Sequence, residues 1–151
     1  MKIALIAVGK ARRDAAAALY DHYVERLRAA VAVREIAEGK GRTADERMGR
    51  EGDAILAALP KNATVVVLDP RGKTMTSEAF AAFVGKVADS GKDVAFLIGG
   101  ADGFANAVRA KADLVLSLGA MTWPHLMVRA MLAEQLYRAE TILAGHPYHR
   151  A

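Results

Sequence analysis

The chain has 151 residues and no cysteine, which excludes disulfides, thiolate catalysis and cysteine-ligated zinc. Its apolar share of 53% is enough for one buried core, so a single domain over residues 1–151 is predicted. No apolar run approaches the roughly 20 residues that span a bilayer, and the short apolar start is typical of a strand rather than of a signal peptide. We therefore expect a cytoplasmic protein, and the formal net charge of +4 slightly favours a polyanionic partner.

Short apolar runs alternate with longer helical stretches along the whole chain. In chain order, the predicted elements are strand Lys2–Val8, helix Asp14–Ala30, strand Ala32–Ile36, helix Asp45–Leu59, strand Ala63–Leu68, helix Ser77–Ser90, strand Asp93–Ile98, helix Phe104–Lys111, strand Asp113–Leu118 and helix Pro124–Leu143. The strands are mostly apolar throughout, as expected when both faces of a sheet are covered. Strict alternation predicts an α/β fold with a mainly parallel sheet and helices on both faces.

Three loops that follow predicted strands are rich in glycine. They are Leu68–Lys73, Phe96–Phe104 and Ser117–Pro124. Ligands of parallel sheets bind beyond the carboxyl ends of the strands, so these loops predict a ligand site. Each glycine alone is equally typical of a tight turn. The spacing Gly99-Gly100-x-x-Gly103 differs from the dinucleotide fingerprint, and the chain has no Walker-type series, so neither nicotinamide nor nucleoside triphosphate binding is expected.

The C-terminus carries an unusual concentration of functional side chains. It ends His146-Pro-Tyr-His-Arg150, one residue before the end of the chain. Termini are usually frayed and tolerant of change. A phenol, an imidazole and a guanidinium gathered at such a position therefore favour a role in a site.

Several blocks of sequence together resemble one known family. These blocks are Leu5–Lys10, Leu68-Asp-x-x-Gly-Lys73, Leu97–Gly100, Leu116–Leu118 with Thr122-x-Pro-His125, Val128–Arg129, Glu134–Ala139 and His146–Arg150. The chain resembles those SPOUT-superfamily methyltransferases that methylate N3 of a pseudouridine in bacterial 23S ribosomal RNA of the large subunit. The match spans nearly the whole chain, and its last two blocks are highly specific together.

The resemblance implies a cofactor, a substrate and an assembly. It implies S-adenosylmethionine held in a bent form, ribosomal RNA as the substrate, and a homodimer in which the partner's tail completes each active site. It also implies a C-terminal trefoil knot, which general folding rules would not propose. The implied cofactor-binding residues are Leu68, Gly100, Gly119, Ala120, Met121, Thr122, Trp123 and Pro124.

Methylation of an imide nitrogen needs a proton acceptor and stabilisation of the anion that develops. His149 carries an imidazole, the usual general base in enzymes, and is the predicted general base, and Arg150 is suited to an imidate oxygen or a phosphate. Tyr148 is suited equally to contact with the base and to anchoring the tail by packing. A sulfonium is electrophilic without a metal, and the spacing of His146 and His149 is weak evidence for a metal site, so no metal is expected.

Basic residues follow the first two predicted strands. They are Lys10, Arg12 and Arg13 after the first, and Lys40 and Arg42 after the second. Solvated charge is the usual explanation for such runs. If RNA docks over the strand ends, they are predicted to contact phosphates and to supply affinity rather than sequence choice.

The last predicted helix carries further candidates. His125, at its first turn, is assigned to RNA, with a contact to the cofactor's carboxylate or a purely structural role as alternatives. Arg138 is predicted to pair with Glu134, four residues earlier, whereas the role of Arg129 stays open. Two apolar stripes on this helix predict burial against a second surface such as a dimer partner.

Two other functions remain open at this point. A SPOUT enzyme acting on a different RNA, such as transfer RNA, is disfavoured because the chain has no appended RNA-binding domain. A non-catalytic ribosome-binding factor would need the basic patches but no cofactor pocket.

Overall fold

The structure is a computed structural model that describes residues 1–150. Its elements, in chain order, are β1 (Ile3–Val8), α1 (Ala15–Val24), β2 (Val31–Ile36), α2 (Ala44–Ala58), β3 (Thr64–Lys73), α3 (Ser77–Asp89), β4 (Val94–Ile98), α4 (Asn106–Arg109), β5 (Leu114–Leu116) and α5 (His125–Leu143). A helix follows every strand, which confirms the predicted α/β alternation.

The strands form one 5-stranded sheet in the order β2-β1-β4-β3-β5. Every neighbouring pair is parallel, so the prediction of a mainly parallel sheet is confirmed. The central strand β4 is buried along its whole length, as its unbroken apolar sequence predicts. Because all strands point the same way, their carboxyl ends lie along one edge of the sheet.

Helices cover both faces of this sheet, as predicted. On one face, Phe80 of α3 and Leu132 and Leu136 of α5 pack on Phe96 of β4. On the other face, Ile55 of α2, Val108 of α4 and Phe104 before α4 pack on the sheet, among others. Burial of these large apolar side chains on two sides supplies the main driving force for the fold.

Helix α1 ends at Val24, although the sequence predicts a helix to Ala30. The backbone amides of Arg28 and Ala29 donate to the carboxylate of Glu140 on α5, at 2.9 and 3.0 Å. The carbonyl of Ala30 accepts from the backbone of Ile3 at 2.9 Å. These tertiary hydrogen bonds engage the backbone groups of the segment that follows the helix, so the chain leaves the helix early and enters the sheet.

Strand β3 is longer than predicted, since it continues past Leu68 to Lys73. Its pairing with β5 is interrupted by a bulge, and Leu68 and Lys73 both lie opposite Leu116. Within the bulge, a Cβ built on Gly72 would lie 2.6 Å from the carbonyl oxygen of Val115. This close backbone approach requires glycine. The bulge lets β3 continue past its regular pairing with β5 to Lys73.

Helix α4 is shorter than the predicted Phe104–Lys111. Phe104 is buried in the core and lies before the helix, and Gly103 has a φ of +88°. A turn at this position leaves only Asn106–Arg109 in α-helical conformation. The single domain and the trefoil knot stay predictions. Within residues 1–150, no helix is both long and apolar enough to span a bilayer.

Candidate active site

A cavity of about 570 Å³ opens at the carboxyl edge of the sheet. Its walls include Leu68–Arg71 after the regular part of β3, Ile98–Phe104 after β4, and most of Leu116–Trp123 after β5. These are the three glycine-bearing loops from which the sequence predicts a ligand site. Their convergence follows from the parallel sheet, because its order places β4 beside β3 and β3 beside β5.

Most of the predicted cofactor residues line this cavity. They are Leu68, Gly100, Gly119, Met121, Thr122 and Trp123. Ala120 and Pro124 lie in the same loop and are exposed, but they are not among the lining residues. The cavity therefore brings most of the predicted set together, and the binding role of each residue stays a prediction.

Gly100 is tightly enclosed on the side away from the cavity. A Cβ built on it would lie 3.0 Å from both Glu51 Oε2 and Val8 Cγ1. Gly119, in the opposite wall, has a φ of +111°, which a residue with a side chain rarely adopts. Close packing against Glu51 and Val8 thus disfavours a side chain at Gly100, and the backbone conformation favours glycine at Gly119.

Asp69 is a buried carboxylate in the wall of the cavity. It pairs with Arg109 and accepts from the backbone and side chain of Arg71 at 2.9 and 3.3 Å. Burial by itself raises the pKa of Asp69, but the hydrogen bonds from Arg71 and the charge of Arg109 outweigh it and hold the pKa below its ordinary value. Asp69 is therefore ionised and neutralised by its partners.

His125 lies in the first turn of α5 and lines the cavity. Its ring packs on Gly9, where a built Cβ would lie 3.2 Å from His125 Cε1. Its Nδ1 atom is buried and has no hydrogen-bond partner among the described residues. This position favours the cofactor among the proposed contacts of His125, and its assignment to RNA stays a prediction.

Arg129, one turn further along α5, is a buried structural residue. It donates to Glu35 Oε1 at 2.7 Å and to the carbonyl oxygen of Gly9 at 2.9 Å. Glu35 also accepts from the backbone of Ala11 at 2.7 Å. The hydrogen bond from Arg129, followed by that from Ala11, lowers the pKa of Glu35. Arg129, left open by the sequence, thus fixes the loop after β1 to α5.

Two large apolar side chains are exposed at the cavity. Met121 and Trp123 both line it, with exposed fractions of 74% and 40%. Apolar side chains exposed beside a cavity are typical of a surface that a ligand covers.

The C-terminal tail packs on its own chain, away from the cavity loops. The hydroxyl of Tyr148 donates to Glu134 at 3.1 Å, and its ring meets that of Tyr137 edge-on, with centroids 4.8 Å apart. His149 lies between Glu78 and Arg138: Nε2 is 2.8 Å from Glu78 Oε1, and Nδ1 is 3.1 Å from the Arg138 guanidinium. The tail therefore lies against α3 and α5, and its residues are not among those that line the cavity.

These contacts shift the pKa values of Tyr148 in the tail and of Glu78 beside it. Burial, followed by hydrogen bonds with Tyr23 and Glu134, raises the pKa of Tyr148. The hydrogen bond from His149 lowers the pKa of Glu78. Arg138 also forms the predicted ion pair with Glu134, which is confirmed. The catalytic roles of Tyr148, His149 and Arg150 stay predictions, and each would require the tail to reach a cavity it does not line here.

The basic residues predicted to bind RNA, apart from His125 in α5, lie exposed in two neighbouring loops. They are Lys10, Arg12, Arg13, Lys40 and Arg42, and none forms an ion pair within residues 1–150. Strands β1 and β2 are adjacent and parallel, so both loops emerge at the same sheet edge as the cavity.

The second of these loops is held firmly against α2. The amide of Gly39 donates to Glu51 Oε1 at 2.9 Å, and that of Arg42 donates to Glu46 Oε2 at 2.7 Å. Arg47 donates to Asp102 of the β4–α4 loop at 2.8 Å. Arg47 is thus engaged structurally, and Lys40 and Arg42 project from an anchored loop.

Sequence reasoning missed Glu51, Asp102 and Arg109. Only Glu51 leaves a signal, because it precedes Ile55 by one helical turn and so falls on the buried stripe of α2. A carboxylate on an apolar stripe indicates a specific partner or function. Among residues 1–150, no group of three or more His, Asp and Glu side chains is arranged to hold a metal ion.

Comparisons with known proteins agree with this geometry. A family model described as a predicted SPOUT methyltransferase matches residues 1–149. The chain is 52% identical to a protein of Rhodospirillum centenum, with 100% of both chains covered. It is 49% identical to one of Xanthobacter autotrophicus over 100% of both, and 48% identical to one of Paramagnetospirillum magneticum over 99% of both.

All three relatives carry the name ribosomal RNA large subunit methyltransferase H. Membership of a methyltransferase family implies a methyl-donor cofactor. The residues of the cavity fit such a group, because apolar side chains and glycine-bearing backbone line it together with His125, whose Nδ1 has no partner among the described residues. The chain belongs to the SPOUT methyltransferase family and is a methyltransferase.

Proposed function

We propose that the protein transfers a methyl group from S-adenosylmethionine to N3 of a pseudouridine in 23S ribosomal RNA. The observation that carries the proposal is the convergence of the three glycine-bearing loops on one cavity, beside two exposed basic loops. The names of the full-length relatives support a ribosomal RNA substrate. We expect the enzyme to act in the cytoplasm, on the large ribosomal subunit.

The cavity suits S-adenosylmethionine in size and chemistry. Its volume of about 570 Å³ falls in the range usual for small-molecule sites. Leu68, Ile98 and Leu118 offer apolar surface to an adenine ring, and the glycine loops offer backbone donors and acceptors. When bound, S-adenosylmethionine supplies an electrophilic methyl group without a metal. The protein contributes alignment and the exclusion of water.

The basic loops suit a large folded RNA. Lys10, Arg12, Arg13, Lys40 and Arg42 lie at the edge where the cavity opens, so phosphates beside the target nucleotide are within their reach. Such contacts give affinity and register rather than base choice.

We assign removal of the N3 proton to His149, with Arg150 stabilising the imidate and Tyr148 contacting the base. Within one chain Tyr148 and His149 pack on α3 and α5 rather than in the cavity. We therefore propose a homodimer in which the tail of one subunit completes the site of the other. Transfer of the proton to His149 would then accompany transfer of the methyl group.

The face formed by α1 and α5 supports this assembly. Leu19 of α1 is 42% exposed and lines a second cavity, of about 470 Å³, together with Tyr23 and Met131. The tail lies along the same face, since Tyr148 approaches Tyr23 to 3.5 Å between hydroxyl oxygens. A dimer through this face would cover the exposed apolar side chains and bring the tail near the partner.

Nucleoside mass spectrometry of ribosomal RNA tests substrate and reaction together. Cells without the gene should lose one N3-methylpseudouridine from 23S RNA, and the purified enzyme should restore it to isolated ribosomes. Loss of a methylated nucleoside from transfer RNA instead would redirect the substrate. Calorimetry that detects no S-adenosylmethionine binding would favour a non-catalytic ribosome-binding factor.

A further inference from the structure

We propose that two carboxylates, Glu38 and Glu51, make the cavity selective for cationic S-adenosylmethionine over its product, S-adenosylhomocysteine. The inference rests on the proposed cofactor and goes beyond it, because it assigns a discriminating role to two residues of this chain. The two ligands share an adenosine, an ammonium and a carboxylate. They differ in the sulfur, which is a sulfonium before transfer and an uncharged thioether afterwards.

Most acidic residues near the cavity are neutralised by arginine. Asp69 pairs with Arg109, and Asp102 pairs with Arg47. Glu35, at the end of β2, pairs with Arg129 in the same way. These pairs add little net charge to the site.

Glu38 is a carboxylate near the cavity that no arginine neutralises. It lines the cavity, and it forms no ion pair or side-chain hydrogen bond within residues 1–150. Its Oε1 would lie 3.7 Å from a Cβ built on Gly9, and Gly9 also packs against His125. Lys40 is close in sequence but exposed to solvent. The charge of Glu38 therefore faces the cavity without a bound cation.

Glu51 is the second exception and is 5% exposed. Its Oε1 accepts from Gly39, while its Oε2 has no donor among the described residues and lies against Gly100 in the cavity wall. The charge of Arg47 acts on it, but the hydrogen bonds of that guanidinium go to Asp102 and Gly41. A buried carboxylate with a free oxygen is unfavourable alone and is stabilised by a cation nearby.

Glu38 lines the cavity and Glu51 lies behind Gly100 in its wall, so both carboxylates act on the net charge of a bound ligand. Attraction between charges is stronger where water is excluded, as at the buried Glu51, and weaker at the exposed Glu38, so the sulfonium gains free energy that the thioether does not. Methyl transfer removes that attraction as the sulfur becomes neutral. The carboxylates thus favour binding of the methyl donor and release of the spent product.

The test is calorimetric measurement of the dissociation constants of both ligands with wild type, Glu38→Gln, Glu51→Gln and the double variant. Glutamine keeps the shape, and Gln at position 51 can still accept from Gly39. We expect the preference for S-adenosylmethionine over S-adenosylhomocysteine to fall about 3- to 10-fold in each single variant and further in the double one. Asp53→Asn, an exposed change on the same helix, should leave it unchanged.

The outcomes are distinct. Equal weakening of both ligands would overturn the inference in favour of a merely structural role, and unchanged constants would overturn it outright. Glu38 is exposed, so its variant tests the inference even if Glu51→Gln fails to fold. Wild-type protein that binds neither ligand would refute the proposed function itself, which is a different result from a lost preference.

Discussion

At the scale of single residues, arginine partners decide which carboxylates at the sheet edge stay ionised at low pH. Asp69 shows this most clearly, because it is only 6% exposed and yet its pKa is held below the ordinary value. A carboxyl whose pKa is lower in the folded state stabilises the fold above its unfolded pKa, about 3.9. That stabilisation is lost as the pH falls through the folded pKa.

We predict that Asp69→Asn lowers the free energy of unfolding by about 1–3 kcal/mol at neutral pH, because Arg109 loses its anionic partner. The difference from wild type should begin to shrink below the unfolded pKa of about 3.9, and it should vanish only once the pH falls below the lower folded pKa of Asp69. Urea unfolding at pH 7 and pH 3, at one protein concentration, measures this. Asp53→Asn is the exposed control, and a difference that is equal at both pH values would contradict the prediction.

Gly100 gives a second prediction at this scale. A Cβ there would press on Glu51 and Val8, so Gly100→Ala must shift the cavity wall. We expect S-adenosylmethionine affinity to fall about 10-fold in a folded protein. Gly49→Ala is the control, because a Cβ at Gly49 in α2 meets nothing within 4 Å. Calorimetry that gives wild-type affinity for a folded Gly100→Ala protein would remove this loop from the cofactor site.

At the scale of elements, strand and helix order follows from the sequence, while several boundaries do not. The apolar runs identify all strands of the sheet, and burial on both faces explains the continuous apolar pattern of β1, β4 and the first half of β3, whereas the edge strand β2 is largely exposed. The early end of α1 depends on Glu140, which is distant in sequence, and the length of β3 depends on a bulge opposite β5. Tertiary contacts of this kind leave no local signal.

The candidate site, too, is predicted only in part by the sequence. The rule that ligands bind beyond the carboxyl ends of parallel strands was sufficient to predict the three loops of the cavity. The pairing of Arg47 with Asp102, and the free oxygen of Glu51, depend on how α2 packs on the β4–α4 loop. The position of the tail on α3 and α5 depends on side-chain contacts across the fold. No local sequence pattern encodes these contacts.

The two basic loops give a prediction at the scale of elements. Alanine at Lys40 and Arg42, or at Arg12 and Arg13, should weaken ribosome binding and reduce its salt dependence by about one unit of log–log slope for each phosphate that is no longer neutralised. S-adenosylmethionine affinity should not change. The matched controls are Lys61→Ala and Lys92→Ala, which precede β3 and β4 and so lie at the opposite sheet edge. A wild-type salt slope in the loop variants would exclude these residues from the RNA surface.

At the scale of the whole molecule, the parts of the proposed active site are separated within one chain. The cavity opens at the carboxyl edge of the sheet, whereas His149 is held by Glu78 and Arg138 on another face. The apolar side chain of Leu19 is exposed on the face along which the tail lies. We propose association through that face as the route by which cavity and tail meet, in which case dimerisation would be a functional requirement rather than a packing preference.

Removal of residues 148–151 tests this arrangement. The deleted tail makes its contacts at the surface, so the core should lose little stability and cofactor binding should persist. Loss of a general base costs about 100- to 10,000-fold in rate, so methyl transfer should nearly vanish.

Mixing the tail-deleted variant with a Gly100→Val variant, whose cavity is altered, then tests which subunit the tail serves. A mixed dimer contains one intact cavity, on the deleted chain, and one intact tail, on the Gly100→Val chain. If the tail crosses to the partner, these two meet and some methyl transfer returns. If each tail serves its own subunit, no site is complete, and activity stays absent although native mass spectrometry detects mixed dimers. Full activity of the deletion alone would refute the catalytic role of Tyr148, His149 and Arg150, because no terminal proton acceptor would then be needed.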